Sequence, residues 1–178
     1  MDNWTEKLDK NTNDFIQHIA ALNSVELNWQ PNLQTWSVTQ NLSHLINFNR
    51  SYFPIFNQIK AGKYQTPWLG KFGFMVRFMG KTILKSVQLD SKKKLKTFPI
   101  WEPNTEEGIS SLKKFQNHQN KLKEMILEMQ NFGDVVLASP SNKNIVYTLN
   151  KAIEIILAHE ERHLKQIKGV ISNLEEKA

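Results

Sequence analysis

Cysteine is missing from all 178 residues, and its absence removes three kinds of chemistry at once. There can be no disulfide, no thiolate metal site and no cysteine nucleophile, a composition compatible with a reducing cytoplasm. Long apolar runs are missing too: no stretch approaches the roughly 18 residues of a membrane span. The opening Met1-Asp2-Asn3-Trp4-Thr5-Glu6 is polar and acidic. It does not read as a signal peptide, so the expected location is cytoplasmic. No Gly-x-Ser-x-Gly elbow and no glycine-rich phosphate loop occurs, which excludes the commonest serine-hydrolase and nucleotide-binding signatures. Internal repeats and low-complexity segments are also lacking. The length fits one domain spanning residues 1–178, long enough to bury a sizeable core.

What is present is helical periodicity. Trp4, Leu8, Phe15, Ile19 and Leu22 recur at helical spacing and predict a first helix from Trp4 to Ser24. A connector with Pro31 follows. Ser37 is an N-cap residue with Gln40 at capping-box spacing, so a second helix starts there and runs to about Lys60, with Pro54 as a kink. Residues 62–104 are less regular. An aromatic-rich run from Phe72 to Met79 reads as a short helix reaching Lys85, and Pro99 and Pro103 close the region. Thr105-Glu106-Glu107 opens a third helix with acids at the positive end of its dipole, and Phe132-Gly133-Asp134 ends it. Ser139-Pro140-Ser141-Asn142 is a turn before a last helix from Ile145 to Leu174. No strand is expected. The pattern predicts an all-α fold: a four-helix bundle with a long crossover between helices two and three.

Two histidines interrupt the apolar stripe of the last helix. Ile145, Leu149, Ala152, Ile156, Ile167 and Val170 share a face, and His159 and His163 project from it one turn apart. Two imidazoles placed where leucine would pack point to a bound metal ion. His159-Glu160-Glu161-Arg162-His163 matches H-E-x-x-H, the zinc-protease pattern in which the Glu is general base. That reading needs a third ligand downstream, and only a short tail with Glu175 and Glu176 follows. It also needs an edge strand to align a peptide. The better third ligand lies upstream: His44, near the start of the second helix. Three neutral nitrogen donors leave a coordination position open, as in catalytic rather than structural zinc sites. Imidazole suits zinc, nickel, copper or iron. His18 and His118 border helical stripes without a paired ligand, and read as structural or exposed histidines.

The remaining feature is charge. Net charge is +6, and Lys81, Lys85, Lys92, Lys93, Lys94 and Lys96 crowd one stretch against Asp90 alone. A solvated lysine-rich loop is the simpler reading, because aromatics do not interleave with these lysines as a nucleic-acid surface requires. The irregular connection has three readings: a crossover packed on the bundle, a cover over the metal site, or a membrane-surface segment. As a cover, its Trp68, Phe72, Phe74 and Trp101 would wall an apolar pocket at the metal.

Three pieces of the chain resemble a known family. They are Trp36-Ser37-Val38 with His44-Leu45, then the connection ending Lys96-Thr97-Phe98-Pro99-Ile100-Trp101-Glu102-Pro103, and then His159-x-x-x-His163-x-x-Gln166-Ile167. Together they are similar to the DinB-like four-helix proteins, a group that includes YfiT-like metal-dependent hydrolases and bacillithiol transferases. The resemblance implies that His44, His159 and His163 hold a divalent metal, zinc or nickel first. It implies transfer of a low-molecular-weight thiol to an electrophile, or hydrolysis of a small substrate. The alternative is a non-catalytic metal- or ligand-binding stress-response bundle. Gln166, one turn beyond His163, could orient a ligand or water. Glu160, at the edge of the stripe, could accept a proton, although a surface carboxylate paired with Lys or Arg is the simpler reading. The expected partner is a small molecule rather than nucleic acid, with no membrane span; oligomeric state is not fixed, and a homodimer is allowed.

Overall fold

A computed structural model describes residues 3–88, 97–103 and 110–177. Helices dominate, with one small antiparallel sheet. Four helices pack on one another: α1 (Trp4–Ile19), α3 (Val38–Arg50), α6 (Ser110–Glu128) and α7 (Leu149–Glu175). Both α1 and α3 pack on both α6 and α7. Helices α2 (Ser24–Asn28), α4 (Phe53–Lys60) and α5 (Gly73–Val87) lie in the connections. The expected start of the third helix at Thr105 and Lys92, Lys93, Lys94 and Lys96 lie outside the described residues.

The second helix begins as its sequence predicts. Ser37 Oγ accepts from the Gln40 N–H at 3.2 Å, and Gln40 Oε1 accepts from the Ser37 N–H at 2.9 Å. It does not run on to Lys60. α3 stops at Arg50 and α4 starts at Phe53, with Pro54 in its first turn. Proline has no N–H for the next helical hydrogen bond, so the chain breaks rather than kinks. The first helix is likewise cut at Ile19. Asn23 then caps α2, its Oδ1 accepting from Val25 and Glu26 while Glu26 Oε2 accepts from the Asn23 N–H.

The last helix also starts later than the periodicity predicts, at Leu149, where Thr148 Oγ1 accepts from the Lys151 N–H. The preceding residues form strand β2 (Asn142–Thr148), paired antiparallel with β1 (Val136–Ser139), Leu137 opposite Tyr147. The expectation of no strand fails here. Ile145 sits four before Leu149 and so fits a helical stripe, but Ile145-Val146-Tyr147-Thr148 is a β-branched and aromatic run that packs better on a pleat. The turn expected at 139–142 is the hairpin turn.

α5 lies along β2 and the first half of α7. Gly80 allows that approach: a Cβ there would sit 2.9 Å from Lys151 Cγ and 3.1 Å from Tyr147 Cβ. Gly80→Leu is therefore expected to cost about 1–3 kcal/mol through overpacking, despite the better helix propensity of leucine. A denaturation midpoint equal to that of the parent would contradict this packing.

The apolar interior forms two clusters. One holds Leu8, Phe48, Tyr52, Phe56, Leu122, Tyr147 and, from α7, Leu149, Ala152, Ile153, Ile155, Ile156 and Leu157; the other holds Phe15, Ile19, Leu42, Leu45, Phe115, Leu164 and Ile167. Along α7 the first ends at Leu157 and the second begins at Leu164. The buried residues between are His159, Glu160 and His163, so a polar layer separates two dry halves of the core.

Candidate metal centre

The polar layer has two sides. On one, α3 supplies His44 and α7 supplies His159 and His163, all three buried. His44 Nε2 lies 3.4 Å from His159 Nε2, and His163 Nε2 lies 3.1 Å from His159 Nε2. The three ligand atoms fall within 4.8 Å of one another. Nitrogens bound to a tetrahedral zinc at its usual bond length are about 3.3–3.4 Å apart, so the spacing suits a divalent cation.

Hydrogen bonds on the outer nitrogens set the tautomers. His44 Nδ1 is 2.7 Å from the Trp101 carbonyl, which can only accept, so Nδ1 carries the proton. His163 Nδ1 is 2.7 Å from Asn41 Oδ1. The Asn41 amide nitrogen donates to the Ser37 carbonyl at 2.8 Å, which turns its oxygen toward His163 and fixes the proton on Nδ1 there too. Both rings therefore aim Nε2 lone pairs at His159. One proton on His159 Nε2 can serve only one of those lone pairs, whereas a cation serves all three nitrogens. His159 Nδ1 is buried without a hydrogen-bond partner among the described residues. Its ring is held by packing, 4.2 Å centroid to centroid from Phe48.

Burial keeps the site uncharged. It lowers His44 to about 4, against which the Trp101 carbonyl works weakly. His159 and His163 are pushed well below the ordinary imidazole range first by burial, then by the charges of His44 and Arg162, with His159 adding to the effect on His163. Neutral imidazoles at neutral pH are the form that binds metal.

Aromatic rings wall the histidines. Half-buried Trp36 lies nearly parallel to His163, 6.0 Å between centroids, and 4.8 Å from His44. Trp101 packs edge-on against Phe48 at 4.8 Å. Among the described residues the cluster contains no fourth His, Cys, Asp or Glu.

Of the expected aromatic cover, only Trp101 is in place. Trp68, Phe72 and Phe74 are exposed. Gly80 of α5 sits against Lys151, which is two turns of α7, about 12 Å, before His159. The aromatics preceding Gly80 lie still nearer the hairpin. They do not wall the histidines, because the inner face of α5 is committed to Val76 and Gly80.

Glu160 also departs from its expectation. It is no surface carboxylate: its exposure is 0 %. Its oxygens accept from Asn49 Nδ2 at 2.9 Å and Asn11 Nδ2 at 3.4 Å. Burial raises its acid to about 7, with hydrogen bonds from Asn49, Gln119 and Asn11 pulling the other way. It thus joins α7 to α3, α1 and α6 through amide partners, none of them an imidazole. Gln166 is exposed. His118 is buried against Phe53 and lowered to about 4 by burial and the Arg50 charge. His18 Nδ1 binds the Asp14 carbonyl, and neither ring joins the cluster.

Sequence reasoning missed the residues that orient the histidines. Asn41 carries a readable signal, an amide three residues before His44 on the same buried face. The Trp101 carbonyl carries none, since any residue offers one.

Among the described residues no helix is long and apolar enough to cross a membrane. Comparison with curated proteins and with solved structures gave no significant match. The profile of the DinB superfamily does match, over residues 7–167, from the first turns of α1 to four residues past His163. That span takes in every residue of the histidine cluster, and the chain belongs to the DinB superfamily.

Proposed function

We propose that this chain is a metal-dependent enzyme that joins a low-molecular-weight thiol to a small electrophile. In this reading residues 1–178 form one four-helix-bundle domain, α4 and α5 belong to the crossover between α3 and α6, and His44, His159 and His163 hold zinc or nickel. The observation that carries it is the convergence of three imidazoles, two of which, His44 and His163, have their outer nitrogens already committed. When bound, a divalent cation supplies a Lewis-acid centre at which a thiol or water loses its proton near neutral pH.

The chain's own residues then have distinct tasks. Asn41 and the Trp101 carbonyl hold His163 and His44 in the ligating tautomer. Trp36, Phe48 and Trp101 supply the apolar surface against which a small electrophile can rest. The sulfur forms a bond to the electrophilic carbon, the leaving group departs with its electron pair, and the thiol proton passes to solvent. Thiol transfer is favoured over hydrolysis by the position of Glu160. Water is a weak acid and benefits from a carboxylate base. Glu160 is the acid among the buried described residues, and amides of other helices engage it. A thiol ionises far more readily.

The test is turnover by metal-loaded protein with a panel of thiols (bacillithiol, cysteine, coenzyme A) and a chromogenic aryl halide or epoxide. Thioether formation should need both protein and metal. Ester hydrolysis without thiol transfer would select the hydrolase reading, and metal binding without turnover in either panel the non-catalytic one.

A further inference from the structure

The outer face of α5 has no described role in the fold, and its composition is unusual. Val76 and Gly80 are buried, with Ile83, Leu84 and Val87 partly buried on the same stripe toward the bundle. The opposite face carries Phe74, Phe78, Lys81 and Lys85, which a helical projection places within one narrow sector. Phe74 and Phe78 are 67 % and 70 % exposed, and Trp68, on the preceding turn, is 66 % exposed. Trp68 and Phe72 meet edge to face at 5.1 Å, so the aromatic surface is continued by the turn leading into the helix. Monomeric proteins rarely leave so many large rings together in water without a partner.

Charge identifies the partner. Lys71, Arg77, Lys81 and Lys85 are exposed around these rings. The sequence contains no Asp or Glu between Glu26 and Asp90, so neither α5 nor the turn before it has an internal counter-charge. On α7, against which α5 packs, Glu154 is paired with Lys151. β2 contributes Lys143 and no acid. A second copy of this face would set cation against cation. Single-stranded nucleic acid is held in grooves that track its backbone, whereas these rings stand on the convex side of a helix. Aromatic rings flanked by lysine and arginine, on a helix too short and too mixed to span, are the pattern of a helix lying in a bilayer surface. The rings enter the headgroup boundary while the cations meet acidic lipid.

We propose that the Trp68–Val87 segment is a peripheral docking surface for anionic membranes. Its aromatic end lies on the hairpin side of the molecule, where Gly80 sits against Lys151, about 12 Å along α7 before His159, while its last turn reaches Arg162, whose guanidinium donates to the Ser86 carbonyl at 2.6 Å.

The experiment is co-sedimentation of the whole protein with vesicles of phosphatidylcholine alone, and with vesicles in which about a third of the lipid is phosphatidylglycerol. Partition onto the acidic vesicles should be about thirtyfold stronger or more, since each surface cation contributes about fivefold, and high salt should erase the difference. Lys81→Glu with Lys85→Glu should lower it by about 25-fold or more, and Phe74→Ser with Phe78→Ser by about tenfold or more. All four sites are exposed, so the variants should melt with the parent. If one pair fails to fold, the other pair carries the comparison. Equal binding to both vesicle types, or none to either, overturns the proposal. So does a dimer in solution, or single-stranded DNA binding, that the same substitutions abolish while no vesicle binding is seen.

Discussion

His163→Ala should lower zinc affinity by about a hundredfold or more while leaving the helices in place. The ring contributes one of three converging nitrogens, and the two that remain lie on different helices, α3 and α7. Two ligands from separate helices hold a cation only as firmly as those helices hold each other, and His159 Nδ1 has no hydrogen bond to fix its ring. The fold should survive because α7 is anchored on both sides of the layer, by Ile153 and Ile156 and by Leu164 and Ile167. The vacancy beside Trp36 and His44 should cost about 1–3 kcal/mol. Asn41→Leu supplies the graded control. It leaves all three nitrogens but frees His163 Nδ1, and should weaken affinity by about 10–100-fold. Competition with a zinc-chelating dye, with metal content by mass spectrometry, reads both. Full occupancy in His163→Ala would remove His163 from the ligand set and with it the proposed site.

Much of the centre could be read from the sequence because its parts are local. His159 and His163 are one turn apart on a strongly apolar stripe, and Ser37 with Gln40 marks where the helix carrying His44 begins. Each of those signals depends on neighbours within a few residues, and helical geometry turns spacing directly into direction. What could not be read depends on partners far along the chain. Glu160 follows His159 and looks like a solvated acid. It is buried because Asn11 and Asn49, 149 and 111 residues away, donate to it. The hairpin was hidden by Ile145, whose position satisfies both the helical and the strand pattern; its pairing with β1 decides between them. The aromatics of α5 illustrate the opposite error. Hydrophobicity suggested an inward cover, but a helix has one inner face, and Val76 and Gly80 occupy it. A bulky residue at Gly80 would have turned the helix away.

Acidification should destabilise the metal-free protein by several kcal/mol, and Glu160→Gln should make that loss larger. His44 and His118 each fall from 6.5 to about 4 in the folded chain. Between those values the unfolded chain takes up protons that the folded chain refuses, so stability declines as pH drops from 6.5 toward 4. Each ring contributes about 3 kcal/mol over that window. His159 and His163 are displaced in the same direction and add to the loss. Glu160 acts oppositely. Its acid rises from 4.5 to about 7, so the folded chain holds a proton that the unfolded chain has released. The stability this provides is complete below 4.5 and disappears as pH climbs through 7, and acidification therefore restores about 3 kcal/mol. One carboxyl offsets about one imidazole of four, and the net slope stays downward toward acid. Glutamine keeps the size of Glu160 and one of its two accepting oxygens but cannot ionise. The variant should equal or exceed the parent above pH 7, where the parent buries a charge, and should fall more steeply below it. Urea denaturation of chelator-treated protein across this range measures both curves. A parent whose stability is flat from 6.5 to 4 would show that the imidazoles are hydrated in the folded state. Parallel curves for the two proteins would show that Glu160 does not carry the displaced proton, and that the polar layer is open to water on its amide side.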